Sequence, residues 1–194
     1  MSGRLKTNRE VQRKSIHLAT TIIPLAYISI IPQKEHIFLI CLILSIGFLL
    51  ADILRMFWKT AEKYFKMIFS ALLRENELKS DLTGATYLFI GMTLAAFLFP
   101  KEIAVLVMLF LSIADPSAAI TGKLAPIKKI FNKSIGGFLG FLFCAIIIVI
   151  IVSGFSFIGL IVAFAAAIVE LLPLKINDNL TIPVVTGYLY LFLK

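Results

Sequence analysis

The sequence contains few charged residues and few cysteines. Charged side chains make up 15% of its 194 residues, whereas roughly one quarter is usual in soluble domains. The two cysteines, Cys41 and Cys144, each lie within an apolar run, which excludes a disulfide framework and a thiolate metal site. Together with a mean hydropathy of +0.99, the scarcity of charge indicates an integral membrane protein.

Sequence motifs of soluble nucleotide-binding proteins are also missing. The chain has no GxxxxGK[ST], no GxGxxG and no HRD-type loop, which excludes the usual phosphate-binding loops of soluble kinases. Its net charge of +8 is not gathered in a long basic tract with interleaved aromatic residues, so nucleic acid is not an expected partner. The sixteen residues before His17 are too polar and too mixed in charge for a secretory signal.

Apolar runs alternate with polar segments along the whole chain. We predict an all-α membrane protein in which residues 1–194 form one domain with about seven spans, several close to the lower limit of about 17 residues. The spans are residues 16–31, 36–58, 82–99, 103–122, 134–153, 155–172 and 180–193. From Lys59 to Leu78, apolar residues recur at helical spacing, and lysines lie on the opposite side of the helix. This pattern predicts an amphipathic helix in the membrane interface.

Lysine and arginine are distributed unequally between alternate polar segments. Sixteen lie on the side of the N-terminal segment, residues 1–15, and three lie on the other side. The positive-inside rule therefore predicts a cytoplasmic N-terminus and an external C-terminus, as in the inner membrane of a bacterium. Nine of the eleven acids also fall at or near the cytoplasmic face, which the rule does not require. This excess predicts a polar site just beneath that surface.

The most informative acid is Asp115, which lies near the end of an apolar span. Acids within membrane spans are costly and are usually functional. Pro116 cannot donate a backbone hydrogen bond, so it predicts a distortion beside Asp115. Small residues every four positions predict a smooth face that a backbone or a ligand can approach closely; they are Ala114, Ala118 and Gly122. The alternative is a helix terminus with a solvated acid, followed by lysines that only anchor the protein.

Polar residues also occur at three other places near the same face. Arg13 and His17 share a helix face at the first span, where they would present a guanidinium fork and an imidazole to phosphate. A snorkelling arginine with an interfacial histidine is the alternative. Glu170 lies near the end of the sixth span, and Asp178 and Asn179 precede the seventh, where they either cap the helix or bind a ligand.

Four patches, in order, cover most of the chain from residue 13 to 187. They are Arg13-Lys14-x-x-His17-Leu18; Arg74-Glu75 with Leu82-Thr83-Gly84-Ala85-Thr86-Tyr87 and Gly91; Asp115-x-Ser117-Ala118-Ala119-x-x-Gly122-Lys123 with Lys133-Ser134-x-x-Gly137; and Asp178-Asn179-Leu180-Thr181-Ile182-Pro183 with Gly187. Together they resemble the polyprenol kinase family, which includes dolichol kinase, phytol kinase and the CTP-using diacylglycerol kinase. The chain departs from the family pattern at Ala125-Pro126 and at Gly136, where a second glycine and an acid are usual.

The resemblance implies transfer of the γ-phosphoryl group of CTP to a lipid alcohol of the diacylglycerol or polyprenol type, with Mg²⁺. Such a reaction needs mainly positioning and neutralisation of charge. The catalytic residues predicted on this basis are His17, Glu75, Asp115 and Asp178. The predicted nucleotide-binding residues are Arg13, Lys14, Gly84, Ser117, Gly122, Lys123, Lys133 and Asn179. Asp115 is the predicted Mg²⁺ ligand, with Glu75, Glu77, Asp178 or, as a further candidate, Glu170 as possible partners.

Two other functions remain open at this point. A small cation-coupled transporter would use Asp115 and Glu170 as coupling acids. The acids crowd toward one face and the chain shows no convincing internal repeat, which favours an enzyme over a transporter. The second alternative is cytidylyl transfer onto phosphatidate, which would call for a larger membrane domain. The sequence identifies neither the lipid nor the oligomeric state.

Overall fold

A computed structural model of the chain describes residues 12–69, 73, 77, 81–125, 127–131 and 133–194. In this part of the chain the structure is helical apart from one short antiparallel hairpin. The elements are α1 (residues 12–19), α2 (Ile22–Ser29), α3 (Lys34–Phe57), α4 (Lys59–Phe69), α5 (Gly84–Leu98), α6 (Lys101–Leu109), a π-helical turn (Phe110–Ala114), α7 (Asp115–Leu124), β1 (Lys129–Ile130), β2 (Lys133–Ser134), α8 (Ile135–Ser153), α9 (Phe157–Leu171) and α10 (Asp178–Leu193).

Three helical stretches in the described part of the chain are long and apolar enough to cross a membrane. They are α3, the continuous stretch Lys101–Leu124 and α8. The shorter helices α5 and α9 are also apolar, and all five coincide with predicted spans. The all-α membrane class is thus confirmed, while the number of seven spans stays a prediction.

The first predicted span, residues 16–31, is not a single helix. α1 ends at residue 19 and α2 begins at Ile22, with a turn at Thr20 and Thr21 between them. The Thr20 hydroxyl donates to the carbonyl of His17 at 2.6 Å. Threonine hydroxyls that bond to nearby backbone carbonyls compete with regular helix geometry, and the prediction that residues 16–31 span the membrane stays a prediction.

The interfacial helix is shorter than the sequence predicted. Within Lys59–Phe69, α4 has no buried residue, as expected for a helix lying on a bilayer surface. Leu73 and Glu77 are not helical, so the extension of this helix to Leu78 is wrong. The guanidinium of Arg55 lies 5.2 Å from the centre of the Phe65 ring, and this contact connects α4 to α3.

The core of the bundle is formed around α6 and the π-helical turn. Every side chain from Ile103 to Leu111 is buried, which is typical of a helix that is apolar on all sides. α2, α5, α8 and α10 pack against α6. By contrast, α3 packs mainly against α5 and exposes apolar side chains such as Ile43 and Leu50. α3 therefore lies at the periphery of the bundle, where lipid would contact it.

The π-helical turn places Asp115 at the junction between α6 and α7. The backbone N–H of Asp115 donates to the carbonyl of Phe110, five residues earlier. π-helical turns are rare and are frequent at functional sites. Pro116 follows directly and has no N–H to donate. The distortion predicted beside Asp115 is therefore present, as a widened turn.

Candidate functional site

Residues from distant parts of the sequence line one polar cavity of about 640 Å³. Eleven of the thirteen predicted site residues lie in its wall: Arg13, Lys14, His17, Glu77, Gly84, Asp115, Gly122, Lys123, Lys133, Asp178 and Asn179. Glu170 and Lys175 also line it. Of the remaining two, Glu75 lies outside the described residues and Ser117 points elsewhere. The polar cavity thus brings together cations and carboxylates contributed by α1, α7, the hairpin and α10.

Asp115 is paired with two side chains of α1. Its Oδ2 lies 2.6 Å from Lys14 Nζ and 3.3 Å from His17 Nδ1, and all three residues are buried. A buried carboxylate is tolerated when a cation and hydrogen bonds compensate its lost hydration. The alternative of a solvated acid at a helix terminus is therefore wrong for Asp115.

A second charged cluster surrounds Lys133, in the strand that precedes α8. Lys133 Nζ lies 2.7 Å from Asp178 Oδ2 and 3.1 Å from Glu170 Oε1, and it also donates to the backbone carbonyl of Glu170. Burial lowers the pKa of Lys133, but the two carboxylates more than offset that effect and leave the pKa raised. The ammonium group is therefore charged at neutral pH. Among the described residues, Glu170 Oε2 is a buried oxygen without a hydrogen-bond partner.

The hairpin that carries Lys133 was not predicted from the sequence. Lys129 pairs with Ser134 and Ile130 with Lys133, around a turn in which Phe131 has a φ of 55°. Ser134 then begins α8, since its hydroxyl oxygen accepts from the N–H of Gly137 at 3.0 Å. The hairpin places Lys129 and Lys133 in the wall of the polar cavity.

The small residues of α7 face α8 as well as the cavity. A Cβ added to Gly122 would lie 2.8 Å from Ser134 Oγ, and one added to Gly137 would lie 2.9 Å from the Ala118 carbonyl oxygen. Both separations are too short for carbon, so α7 and α8 approach each other closely at these glycines. Ser117 Oγ donates to the carbonyls of Ala114 and Gly140. It fastens α7 to α8, and the structure does not place it in the cavity wall.

Gly84 connects two other predicted residues through its backbone. Its N–H donates to Glu77 Oε1 at 3.0 Å, and its carbonyl accepts from Asn179 Nδ2 at 3.0 Å. Asn177 caps α10 through its side chain, so the interpretation of Asp178-Asn179 as the cap is wrong by one residue. Asp178 is instead paired with Lys133.

The predicted metal ligands do not form a cluster in this structure. Among the described residues, no group of three or more His, Cys, Asp or Glu side chains is arranged to hold a metal ion. Asp115, Asp178 and Glu77 each have a different partner, respectively Lys14, Lys133 and the Gly84 N–H. Mg²⁺ bound with a nucleotide takes only one or two protein carboxylates and fills its other positions with water and phosphate oxygens. Five acidic residues line the cavity, more than that number: Glu77, Asp81, Asp115, Glu170 and Asp178.

Sequence reasoning missed a buried ion pair on α3. Asp52 and Arg55 are buried, and Arg55 Nε lies 2.7 Å from Asp52 Oδ1. Arg55 also donates to the carbonyls of Glu77 and Asp81, and Asp52 Oδ2 accepts from the N–H of Thr83 at 2.8 Å. The pair therefore holds Glu77, Asp81 and Thr83 in place ahead of α5. The available signal was two charges three residues apart within an apolar span.

Comparison with known sequences finds relatives over nearly the whole chain. The chain is 29% identical over 206 residues to CTP-dependent diacylglycerol kinase 1 of Schizosaccharomyces pombe, covering 93% of this chain and 91% of that protein. It is 26% identical over 220 residues to CTP-dependent diacylglycerol kinase 1 of Eremothecium gossypii, covering 95% and 67% respectively. An uncharacterized protein of Rickettsia prowazekii is 32% identical over 184 residues, covering 90% and 89%. No protein-family model and no solved structure matches the chain.

Proposed function

We propose that the chain is a member of the polyprenol kinase family and that it transfers the γ-phosphoryl group of CTP to the hydroxyl of a membrane lipid alcohol at the cytoplasmic face. The similarity to two CTP-dependent diacylglycerol kinases supports the choice of nucleotide and of substrate class. The structural observation that most supports this proposal is that residues of all four sequence patches line one polar cavity. That cavity contains both cations and carboxylates.

The paired lysines suit a site that has to accept a triphosphate. Lys14 and Lys133 are buried or half-buried against carboxylates, so their charges are neutralised before nucleotide binds. We propose that both ammonium groups turn toward phosphate oxygens when CTP enters, since charge-assisted hydrogen bonds to phosphate are strong. Arg13, Lys123 and Lys129 line the same cavity and would add to the positive field around the phosphates.

Release of the lysines would leave carboxylates available for Mg²⁺. Asp115 and Asp178 would each lose an ion-pair partner, and Glu170 Oε2 already has no hydrogen-bond partner among the described residues. These oxygens are the ligands that Mg²⁺ prefers. We propose that Asp115 holds the ion with either Asp178 or Glu170 as its partner. When bound, Mg²⁺ would neutralise the charge of the β- and γ-phosphates.

His17 is the proposed proton acceptor. His17 Nδ1 lies 3.3 Å from Asp115 Oδ2 and has no hydrogen-bond partner among the described residues; a hydrogen bond formed between them would orient the imidazole and leave Nε2 for the substrate. In the proposed step the lipid oxygen bonds to the γ-phosphorus and the bond from that phosphorus to the β-bridging oxygen breaks. The hydroxyl proton passes to His17 Nε2, and CDP leaves. Asp115 would stabilise the resulting imidazolium as well as bind the metal.

The test is a transfer assay on purified protein in detergent with CTP labelled at either the γ- or the α-phosphate. Diacylglycerol, a long-chain polyprenol and phosphatidate serve as acceptors. We expect γ-label in a lipid phosphate, whereas α-label in the lipid product would indicate cytidylyl transfer and no transfer would favour a transporter. Asp115→Asn should abolish γ-transfer, and Glu102→Gln, at the opposite end of Lys101–Leu124, should not. Near-normal turnover of Asp115→Asn at limiting Mg²⁺ would contradict the proposed role of Asp115.

A further inference from the structure

A second cavity, of about 560 Å³, lies directly beside the polar one and is almost entirely apolar. We call it the acyl cleft. One wall is a face of α3, and α4 provides the opposite wall with Phe65 and Phe69. The residues that α3 contributes are Ile43, Leu44, Gly47, Phe48 and Ala51. Their spacing of three and four residues places them on one side of the helix.

The two cavities share part of their walls. Arg13, His17, Glu77 and Gly84 line both. His17 contacts Asp115 on the polar side, while Ile16 and Phe48 continue the lining on the apolar side. A molecule with a hydrocarbon chain in the acyl cleft would therefore present its polar end next to His17 and to the polar cavity.

We infer that the acyl cleft receives the hydrocarbon chain of the lipid alcohol and that the shared wall holds its hydroxyl. This inference rests on the proposed kinase function and adds to it the route and the position of the lipid substrate. The cleft would admit the chain sideways from the bilayer between α3 and α4.

The dimensions of the cleft fit one leaflet of a membrane. From Ile43 to Ala51 the axis of α3 rises about 12 Å, at 1.5 Å per residue. One leaflet contributes about half of the roughly 30 Å hydrocarbon core. The cleft thus follows most of the depth of a single leaflet, beginning at the end of the bundle that contains the polar cavity.

The cleft faces the lipid of the bilayer, and its apolar lining does not suit a nucleotide. Ile43, at its deep end, is 60% exposed, so the side of the cleft faces the bilayer. α4 lies along the surface with its apolar residues exposed, as a helix in the membrane interface does. Away from the shared wall and Thr83, the lining consists of apolar side chains and Gly47, which cannot replace the hydration of a phosphate or a sugar.

Gly47 offers a way to fill the cleft without disturbing the fold. A Cβ added to Gly47 meets no atom within 4 Å, and within a helix other residues are more favourable than glycine. Gly47→Phe should therefore occupy the cleft and leave the bundle intact. Leu50→Phe is the matched control, because Leu50 lies on the same helix, is 52% exposed and does not line the cleft.

In the kinase assay, Gly47→Phe should raise the KM for diacylglycerol about tenfold, the effect expected when roughly two methylene groups are excluded from an apolar site. The KM for CTP should not change, and Leu50→Phe should change neither constant. An unchanged lipid KM for a folded Gly47→Phe variant would overturn the inference, as would equal effects of the two substitutions.

Binding can be measured separately from catalysis with a diacylglycerol that carries a diazirine in its acyl chain. In detergent and without CTP, we expect crosslinks within Ile43–Ala51 that excess unlabelled diacylglycerol suppresses and that Gly47→Phe reduces. Equal suppression by phosphatidylcholine would identify a site for bulk lipid and would overturn the inference. Crosslinks at the cleft without phosphoryl transfer to any lipid alcohol would support the cleft but refute the kinase activity. Phosphoryl transfer that Gly47→Phe does not change would support the kinase activity and refute the placement of the lipid in the acyl cleft.

Discussion

Replacing Arg55 with methionine tests whether the buried ion pair of α3 supports the site. The change leaves the Asp52 carboxylate, which is 1% exposed, without its counter-ion. Removing one partner of a buried pair costs about 3 to 5 kcal/mol, a large share of the roughly 5 to 15 kcal/mol that stabilises a typical fold. For a protein of this size, that loss corresponds to a decrease in Tm of roughly 6 to 20 °C.

The double variant Asp52→Asn/Arg55→Met separates stability from activity. It removes both charges, while the asparagine oxygen can still accept from the Thr83 N–H that now donates to Asp52. Removing both charges avoids an unpaired buried ion, so we expect the double variant to recover most of the lost Tm. The carbonyls of Glu77 and Asp81 still lose their donor. A displacement of about 1 Å within an active site can lower the rate about a hundredfold. The activity of the double variant should therefore stay low.

The assay combines thermal unfolding in detergent with the initial rate of γ-phosphoryl transfer. Lys66→Met is the control, since it breaks the ion pair with Glu62 on exposed α4, and such surface pairs contribute only about 0 to 1 kcal/mol. Normal Tm and turnover for Arg55→Met would refute the reasoning about the buried pair. Recovery of activity together with Tm in the double variant would show that Arg55 acts through stability alone.

Lys133→Gln should raise the KM for CTP, whereas Lys63→Gln on the exposed face of α4 should not. Equal effects of the two substitutions would indicate that these lysines only set the orientation of the protein in the membrane. Because the folded-state pKa of Lys133 lies above its ordinary value of 10.5, its contribution to stability is fully present below about pH 10.5 and is lost only as the pH rises through the higher folded value. The Lys133-dependent part of the KM should therefore be constant across the neutral range. A single cysteine placed at Lys194, with Cys41 and Cys144 replaced, should react with an impermeant thiol reagent from outside the cell. Reaction only from the cytoplasmic side would contradict the predicted sidedness.

The position of the site could be predicted because carboxylates within apolar sequence have an energetic cost. Asp115 stands out for that reason alone, and the family resemblance then connected it to residues as distant as Lys14 and Asp178. The helical class followed from the apolar runs, and five of them correspond to apolar helices of the structure. Local composition and periodicity were sufficient for the helical class and for singling out Asp115, but not for its connection to Lys14 and Asp178.

Other features depend on packing that a sequence pattern does not contain. Lys14 and Asp115 are 101 residues apart, and their pairing requires α1 to lie against α7. The hairpin around Phe131 has strands of two residues, too short for an alternating pattern to appear. The orientation of Ser117 follows from the close approach of α8 to α7, which places the Gly140 carbonyl within 3.1 Å of its hydroxyl. The two charges of Asp52 and Arg55 are visible in the sequence, but the contacts of Arg55 with the carbonyls of Glu77 and Asp81 depend on the fold.

A lipid kinase has to bring together two substrates that do not share a solvent, because the nucleotide is dissolved in water and the lipid in the bilayer. The described residues meet that requirement through the wall common to the two cavities, in which His17 and Glu77 separate a charged volume from an apolar one. The Asp52–Arg55 pair holds the Glu77 side of this wall through backbone carbonyls. Asp115 holds the His17 side. If the lipid occupies the acyl cleft as we infer, the Asp52–Arg55 pair and the contact between Asp115 and His17 determine the distance between the hydroxyl and the phosphate. Asp52 and Arg55 line neither cavity, so substitutions in that pair should lower the turnover rate more than they weaken the binding of either substrate.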